Sequence, residues 1–182
     1  MAVKKKAARS VVPGMSDMSA ALAVLRNDGM LIDEGRWDDW LALYAPEAEF
    51  WIPAWRTDED LTADPQTQLS HIYYAGRAGL EDRVMRLRTQ RSPASVPLSR
   101  TSHMIGNTAP ADPAPALPEG HIRLRSAWTC HVYFLRGRDS HPFFGRVEHE
   151  LRPAGGGGWL IAKKKVVLVN DFIPSLLDFY CV

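Results

Sequence analysis

From Ile122 to Phe134 the sequence alternates with period two. Ile122, Leu124, Ser126, Trp128, Cys130, Val132 and Phe134 share one parity, and a more polar set that includes Arg123, Arg125, His131 and Tyr133 fills the other. Only a β-strand sends successive side chains to opposite faces, so this stretch reads as a long strand with one buried face. Phe143, Val147 and Leu151 lie on one face of a second strand, opposite Arg146, Glu148, Glu150 and Arg152, and Trp159 to Val169 makes a third. Gly155 to Gly158 joins the last two as a hairpin loop. Thr108 to Gly120, with four prolines and four alanines, reads as a linker or exposed loop between strands.

The first half is helical in character. Ser16 or Asp17 can cap a helix over Ser16–Glu34, with Leu22, Leu25, Met30 and Ile32 as its apolar positions and Gly35 as its stop. Trp37, Trp40, Leu41 and Tyr44 recur at helical spacing and predict a second helix that Pro46 ends. Glu49–Ile52 reads as a strand closed by Pro53, and Arg56–Gln68 as a polar, acidic loop. Gly79–Arg88 reads as a third helix with Leu80, Val84 and Leu87 inward, and Ser92–Ser99 as a loop. Helices followed by long neighbouring antiparallel strands define an α+β domain in which the helices cover one face of a curved sheet. A chain of 182 residues suits one such domain, taken here as residues 16–182 behind a flexible tail of residues 1–15.

Composition narrows the function classes. The chain is 46% hydrophobic with a net charge of +1, which argues against disorder and against a nucleic-acid-binding role. Lys4-Lys5-Lys6 lacks a following apolar run, so it reads as a solvated tail and not as a signal peptide. No segment is apolar for long enough to cross a bilayer. Cys130 and Cys181 could form one bridge, but two cysteines do not make a secreted disulfide scaffold, and cytoplasmic residence is expected.

Six histidines (His71, His103, His121, His131, His141 and His149) invite a metal hypothesis, and their spacing gives it no local support. There is no His-Glu-x-x-His pattern and no Cys-x-x-Cys, and Cys130 with Cys181 cannot supply the paired ligands of a Rieske cluster. A two-His, one-carboxylate iron triad gathered from distant segments stays open on spacing alone. Nucleophile elbows and phosphate-binding glycine motifs are missing as well. One acid–base constellation remains: Asp33, Tyr44 and His103 could line the mouth of a cone-shaped cavity, as in a dehydratase or isomerase. The competing reading leaves Asp33 at an exposed helix end and gives His103 a loop-ordering role. Arg100-Thr101-Ser102-His103, followed by Asn107, is a dense polar cluster suited to cross-linking chain segments or to an interface. No residue is assigned to catalysis, to a cofactor or to a metal.

The run Leu31-Ile32-Asp33-Glu34-Gly35-Arg36-Trp37-Asp38-Asp39-Trp40-Leu41-Ala42-Leu43-Tyr44 resembles the first helices of the small (β) subunits of aromatic-ring-hydroxylating dioxygenases. Glu49–Trp55, Arg83–Arg88, Ser99–His103 with Asn107, and Lys164–Asp171 are similar to successive segments of the same family. Leu177-Asp178-Phe179-Tyr180 resembles the benzoate and anthranilate branch. The likeness runs from about Leu25 to the C-terminus. Asp28-Gly29 departs from the usual Glu-Ala, which should weaken the first helix. The resemblance implies a fold like nuclear transport factor 2 (NTF2-like), a cone of helices against a strongly curved, mostly antiparallel sheet. It implies a metal-free structural subunit of the terminal oxygenase that cis-dihydroxylates an aromatic carboxylate. The partner α-subunit would hold the Rieske 2Fe–2S cluster and the mononuclear Fe(II), electrons would come from NADH through a reductase, and the assembly would be an α3β3 hexamer with the small subunits associating as a trimer. Arg123, Arg125, His131, Tyr133, Arg146 and Arg152 would then offer a face for subunit contacts. A stand-alone cone enzyme using Asp33, Tyr44 and His103, or a small-ligand binding scaffold, are the alternatives.

Overall fold

The chain runs through α1 (Met15–Asp33), α2 (Trp37–Ala42), β1 (Tyr44–Pro53), β2 (Ser70–Ala75), α3 (Arg77–Arg88), β3 (Arg100–Pro110), β4 (Ile122–Phe134), β5 (Asp139–Pro153) and β6 (Trp159–Leu168). Short 3-10 turns occupy Pro93–Ser95 and Phe179–Cys181. This computed structural model describes residues 15–111, 115–174 and 177–182. The charged tail expected over residues 1–15 therefore lies almost wholly outside the described residues, as do 112–114 of the Pro/Ala-rich stretch.

All six strands form one sheet in the order β2-β1-β6-β5-β4-β3. Every neighbouring pair is antiparallel except β1 with β6, which is parallel. The period-two pattern survives intact in β4, where burial alternates along its length and every residue from Ile122 to Phe134 pairs with β5. Its apolar parity faces the helices. Leu124, Trp128, Cys130 and Val132 join Phe143, Val147 and Leu151 of β5 under Ala21, Leu25 and Ile32 of α1, Trp40 of α2, and Leu80 and Val84 of α3. Each fully buried aliphatic or phenyl side chain contributes about 1.5–3 kcal/mol, so this layer is the main favourable term of the fold.

Four expectations change. The second helix stops at Ala42, and Tyr44 and Pro46 already belong to β1. The β1–β6 register slips between Tyr44 and Glu49, an irregularity where the missing N–H of Pro46 disturbs no regular ladder. Strand β2 has no counterpart in the sequence reading. It pairs only with β1, and its half-buried edge position imposes no clean alternation. The Arg100–His103 cluster opens β3, the opposite edge, and the expected loop over Thr108–Gly120 begins later, because Thr108–Pro110 close that strand. Asn107 takes φ 50 where the β3–β4 register slips between Gly106 and Ala109, a conformation asparagine tolerates well. Finally, Met30 points outward at 54% exposure, and the buried stripe of α1 runs instead through Ala21, Leu25, Asp28 and Ile32. Helical spacing had placed a carboxylate on the inner face.

After β6 the chain returns into the cone. Asp178 forms an ion pair with Arg83 of α3 and accepts the Phe179 N–H at 2.9 Å. The Phe179 ring then stacks on Trp40 at 4.9 Å and meets Trp37 edge-on at 5.8 Å. Phe179, Tyr180, Cys181 and Val182 are all buried. Both cysteines are free thiols inside the core, so no bridge forms between them.

Candidate functional site

Asp28 is the centre of the interior. Its Oδ1 accepts hydrogen bonds from Tyr44 Oη at 2.7 Å and Trp40 Nε1 at 2.9 Å. Its Oδ2 receives Lys164 Nζ at 2.7 Å and faces His149 Nε2 at 3.4 Å. His149 and Lys164 are register partners on β5 and β6, so their side chains emerge side by side on the inner face. Lys164 also donates to the Val182 carbonyl oxygen at 3.1 Å. Asp28, His149 and Lys164 are each less than 5% exposed.

Burial alone would raise the Asp28 pKa, but the Lys164 ammonium and the His149 hydrogen bond outweigh it and hold the carboxyl far below the usual range. Burial and the neighbouring carboxylate push the Tyr44 phenol well above its ordinary value. Burial lowers His149 and keeps its ring neutral, with the Nε2 proton facing Asp28. A carboxylate that is firmly ionised and supplied with donors on both oxygens is a poor proton acceptor. Chemically this is a lock between α1, α2, β1, β5 and β6, and not a poised acid–base centre.

The His149 shift has a measurable consequence. Its native pKa lies below the ordinary 6.5, so between those values the unfolded chain binds a proton that the native one refuses. Stability is therefore fully present above pH 6.5 and falls as the pH drops through it, by up to about 1.4 kcal/mol per unit. Urea midpoints at pH 7.5, 6.5 and 5.5 should decline, and His149→Gln should flatten that decline. An unchanged slope in the variant would assign the loss to other groups.

Asp33 and His103 do meet. Asp33 Oδ1 accepts from Thr101 Oγ1 at 2.7 Å and lies 2.6 Å from His103 Nδ1, while Oδ2 accepts the His103 backbone N–H at 2.8 Å. Burial raises Asp33, but the bonds from His103 and Thr101 prevail and keep its pKa low. These bonds tie the end of α1 to the edge strand β3, the cross-linking expected of the Arg100–His103 cluster. Arg100 and Ser102, of opposite parity, are exposed. Tyr44, the third member of the anticipated acid–base set, bonds to Asp28 instead. The constellation is therefore divided between two networks.

The Asp28-Gly29 departure also has its reason here. A Cβ at Gly29 would stand 2.7 Å from His103 Cβ, so glycine lets α1 approach β3 closely. The helix runs unbroken through both residues. Gly29→Ala gains about 1 kcal/mol of helix propensity but must displace His103, and a net loss of about 1–2 kcal/mol is expected. A thermal melt checks the sign, since a raised midpoint would mean that β3 yields freely.

Sequence reasoning missed Asp28, His149 and Lys164, although each carries a readable signal. Asp28 sits at helical spacing between Leu25 and Ile32, His149 alternates with Val147 and Leu151, and Lys164 alternates with Val166 and Leu168. Polar residues at inward positions of otherwise apolar patterns demand one another. Among the described residues no group of three or more His, Cys, Asp or Glu side chains could hold a metal ion, and no helix is long and apolar enough to cross a membrane.

The helices packed on one curved six-stranded sheet have the NTF2-like architecture of ring-hydroxylating oxygenase small subunits. A family model described as "Ring hydroxylating beta subunit" matches residues 27–175. The toluate 1,2-dioxygenase subunit beta of Pseudomonas putida is 42% identical over 156 residues, 86% of this chain and 92% of that relative. The benzoate 1,2-dioxygenase subunit beta of Acinetobacter baylyi is 38% identical over 156 residues, covering 86% and 88%. The crystal structure of the beta subunit of benzoate 1,2-dioxygenase from Burkholderia mallei superposes with a TM-score of 0.70 at 32% identity, covering 95% of this chain and all of that one. The chain belongs to the ring-hydroxylating beta-subunit family, the small-subunit class of aromatic-ring dioxygenases.

Proposed function

We propose that this chain is the metal-free structural subunit of a terminal oxygenase that cis-dihydroxylates a benzoate-type aromatic carboxylate. The observation that carries the reading is its near full-length similarity to small subunits named for toluate and benzoate dioxygenation. The catalytic work then falls to an α-subunit holding a Rieske 2Fe–2S cluster and a mononuclear Fe(II), fed from NADH by a reductase in the cytoplasm. The described residues of this chain offer no ligand set for either group. Residues 16–182 act as one unit, associated as a trimer within an α3β3 hexamer, and no residue of this chain is assigned a catalytic role.

The interior supports a structural part, because its charged groups are consumed in mutual bonds. The outer sheet face supports assembly. Arg125, His131, Tyr133 and Arg146 are exposed there, as are Met104 and Phe144, whereas Arg123 and Arg152 are drawn into ion pairs with Glu150 and Glu47. Exposed aromatic and arginine side chains of this kind suit a protein interface. The test is co-purification. The tagged chain, purified from its native cells, should retain an iron–sulfur protein in equal amount. Stoichiometric iron in the chain purified alone would overturn the proposal.

A further inference from the structure

A half-open pocket of about 50 Å³ lies between α1 and the sheet, with Asp28 and His103 in its wall. Leu25, Val147 and Val166 supply apolar wall, and His103, Trp128 and His149 supply rings. Each of these three rings keeps a buried nitrogen with no hydrogen-bond partner among the described residues: His103 Nε2, Trp128 Nε1 and His149 Nδ1. Trp128 is 7% exposed and His149 1%, and the His103 side chain is 9% exposed. Buried polar atoms without partners are rare in folded proteins and call for an explanation.

The chemistry of the three nitrogens specifies what would satisfy them. An indole N–H only donates. His103 Nδ1 faces the Asp33 carboxylate and donates to it, so Nε2 accepts when the ring is neutral and donates when it is charged. His149 Nε2 faces the Asp28 carboxylate, and the neutral ring leaves Nδ1 as an acceptor. One donor, one acceptor and one nitrogen able to serve as either are therefore unmet. An anion would face the His149 lone pair, a cation would face the Lys164 ammonium and the indole N–H, and the described residues gather no group of three ligands able to hold a metal ion, whereas a neutral hydroxyl both donates and accepts. A cavity that admits benzene measures about 150 Å³, so an aromatic ring does not fit, whereas about two or three heavy atoms do.

We propose that this cavity is a binding site for a small neutral hydroxyl compound of the size of methanol or ethanol, held by the Trp128 indole N–H and the free ring nitrogens of His103 and His149. The hydroxyl accepts from the indole and donates to a ring nitrogen, and its alkyl part lies against Leu25, Val147 and Val166. This site is independent of the subunit's place in an oxygenase.

The test uses the full chain, labelled with 15N and titrated with ethanol. The Trp128 indole N–H signal and the ring nitrogens of His103 and His149 should shift together and saturate. Trp128→Phe should weaken binding by about tenfold, the loss expected for one hydrogen bond. Methanol should also saturate and benzyl alcohol should not, a size series that requires no variant to fold. Shifts that rise linearly without saturation, equal affinity in Trp128→Phe, or a crystal structure grown in ethanol showing ordered water only would each overturn the proposal. Co-purification with a large subunit reports separately on the assembly role.

Discussion

Asp28→Ala is expected to cost about 3–5 kcal/mol of folding stability, which for a chain of this length lowers the melting temperature by roughly 10 °C. The substitution removes the acceptor for Tyr44 Oη and Trp40 Nε1 and strands the Lys164 ammonium in the interior. An uncompensated buried charge is the expensive part. The double variant Asp28→Leu with Lys164→Met should therefore recover much of the loss, since well-packed apolar residues commonly replace a buried ion pair at little cost. Calorimetry on the three proteins decides the matter, and a single variant within about 1 kcal/mol of the parent would show that the lock carries little. The pH dependence has a definite sign. The native Asp28 pKa lies below its ordinary 3.8, so the contribution is fully present above that value and is lost as the pH falls beneath it. Asp28→Ala should accordingly be less acid-sensitive below pH 4 than the parent.

Gly145→Ala should be comparably damaging for a different reason. A Cβ at this position would lie 2.0 Å from the Val167 carbonyl oxygen and 3.0 Å from the Val169 N–H nitrogen. The obstacle is the backbone of the adjacent strand, which cannot swing aside as a side chain can. Accommodating the methyl means separating β5 from β6 where Gly145 pairs with Leu168. A loss of about 3 kcal/mol is expected, at the upper end for overpacking. Near-ultraviolet circular dichroism and a urea titration would register it. Retention of the parent midpoint would mean that the two strands can part locally without consequence.

Regular elements with two distinct faces were the legible part of this chain. The β4 alternation translated directly into burial because the strand has neighbours on both sides and a core on one face. Edge strands β2 and β3 were harder, since a strand paired on one side and half exposed places weak demands on its sequence. Tyr44 misled because its spacing from Trp37 and Trp40 suits a helix, while its hydroxyl is actually drawn to Asp28 across the interior. The pairing of Asp33 with His103 could be guessed, but its partition from Tyr44 could not. That division depends on Asp28, whose partners His149 and Lys164 lie on strands more than a hundred residues away.

The parallel contact between β1 and β6 sets an order of events on the ribosome. The helices and the β1–β2 hairpin are synthesised first, yet the strand that anchors them to the rest of the sheet is the last to emerge. Until Lys164 arrives, Asp28 has no cation to face, and the sheet under α1 lacks the strand that joins its two halves. Folding dominated by such distant pairings is slow, and a chain truncated before β6 would leave β1 and β2 unjoined to the rest of the sheet.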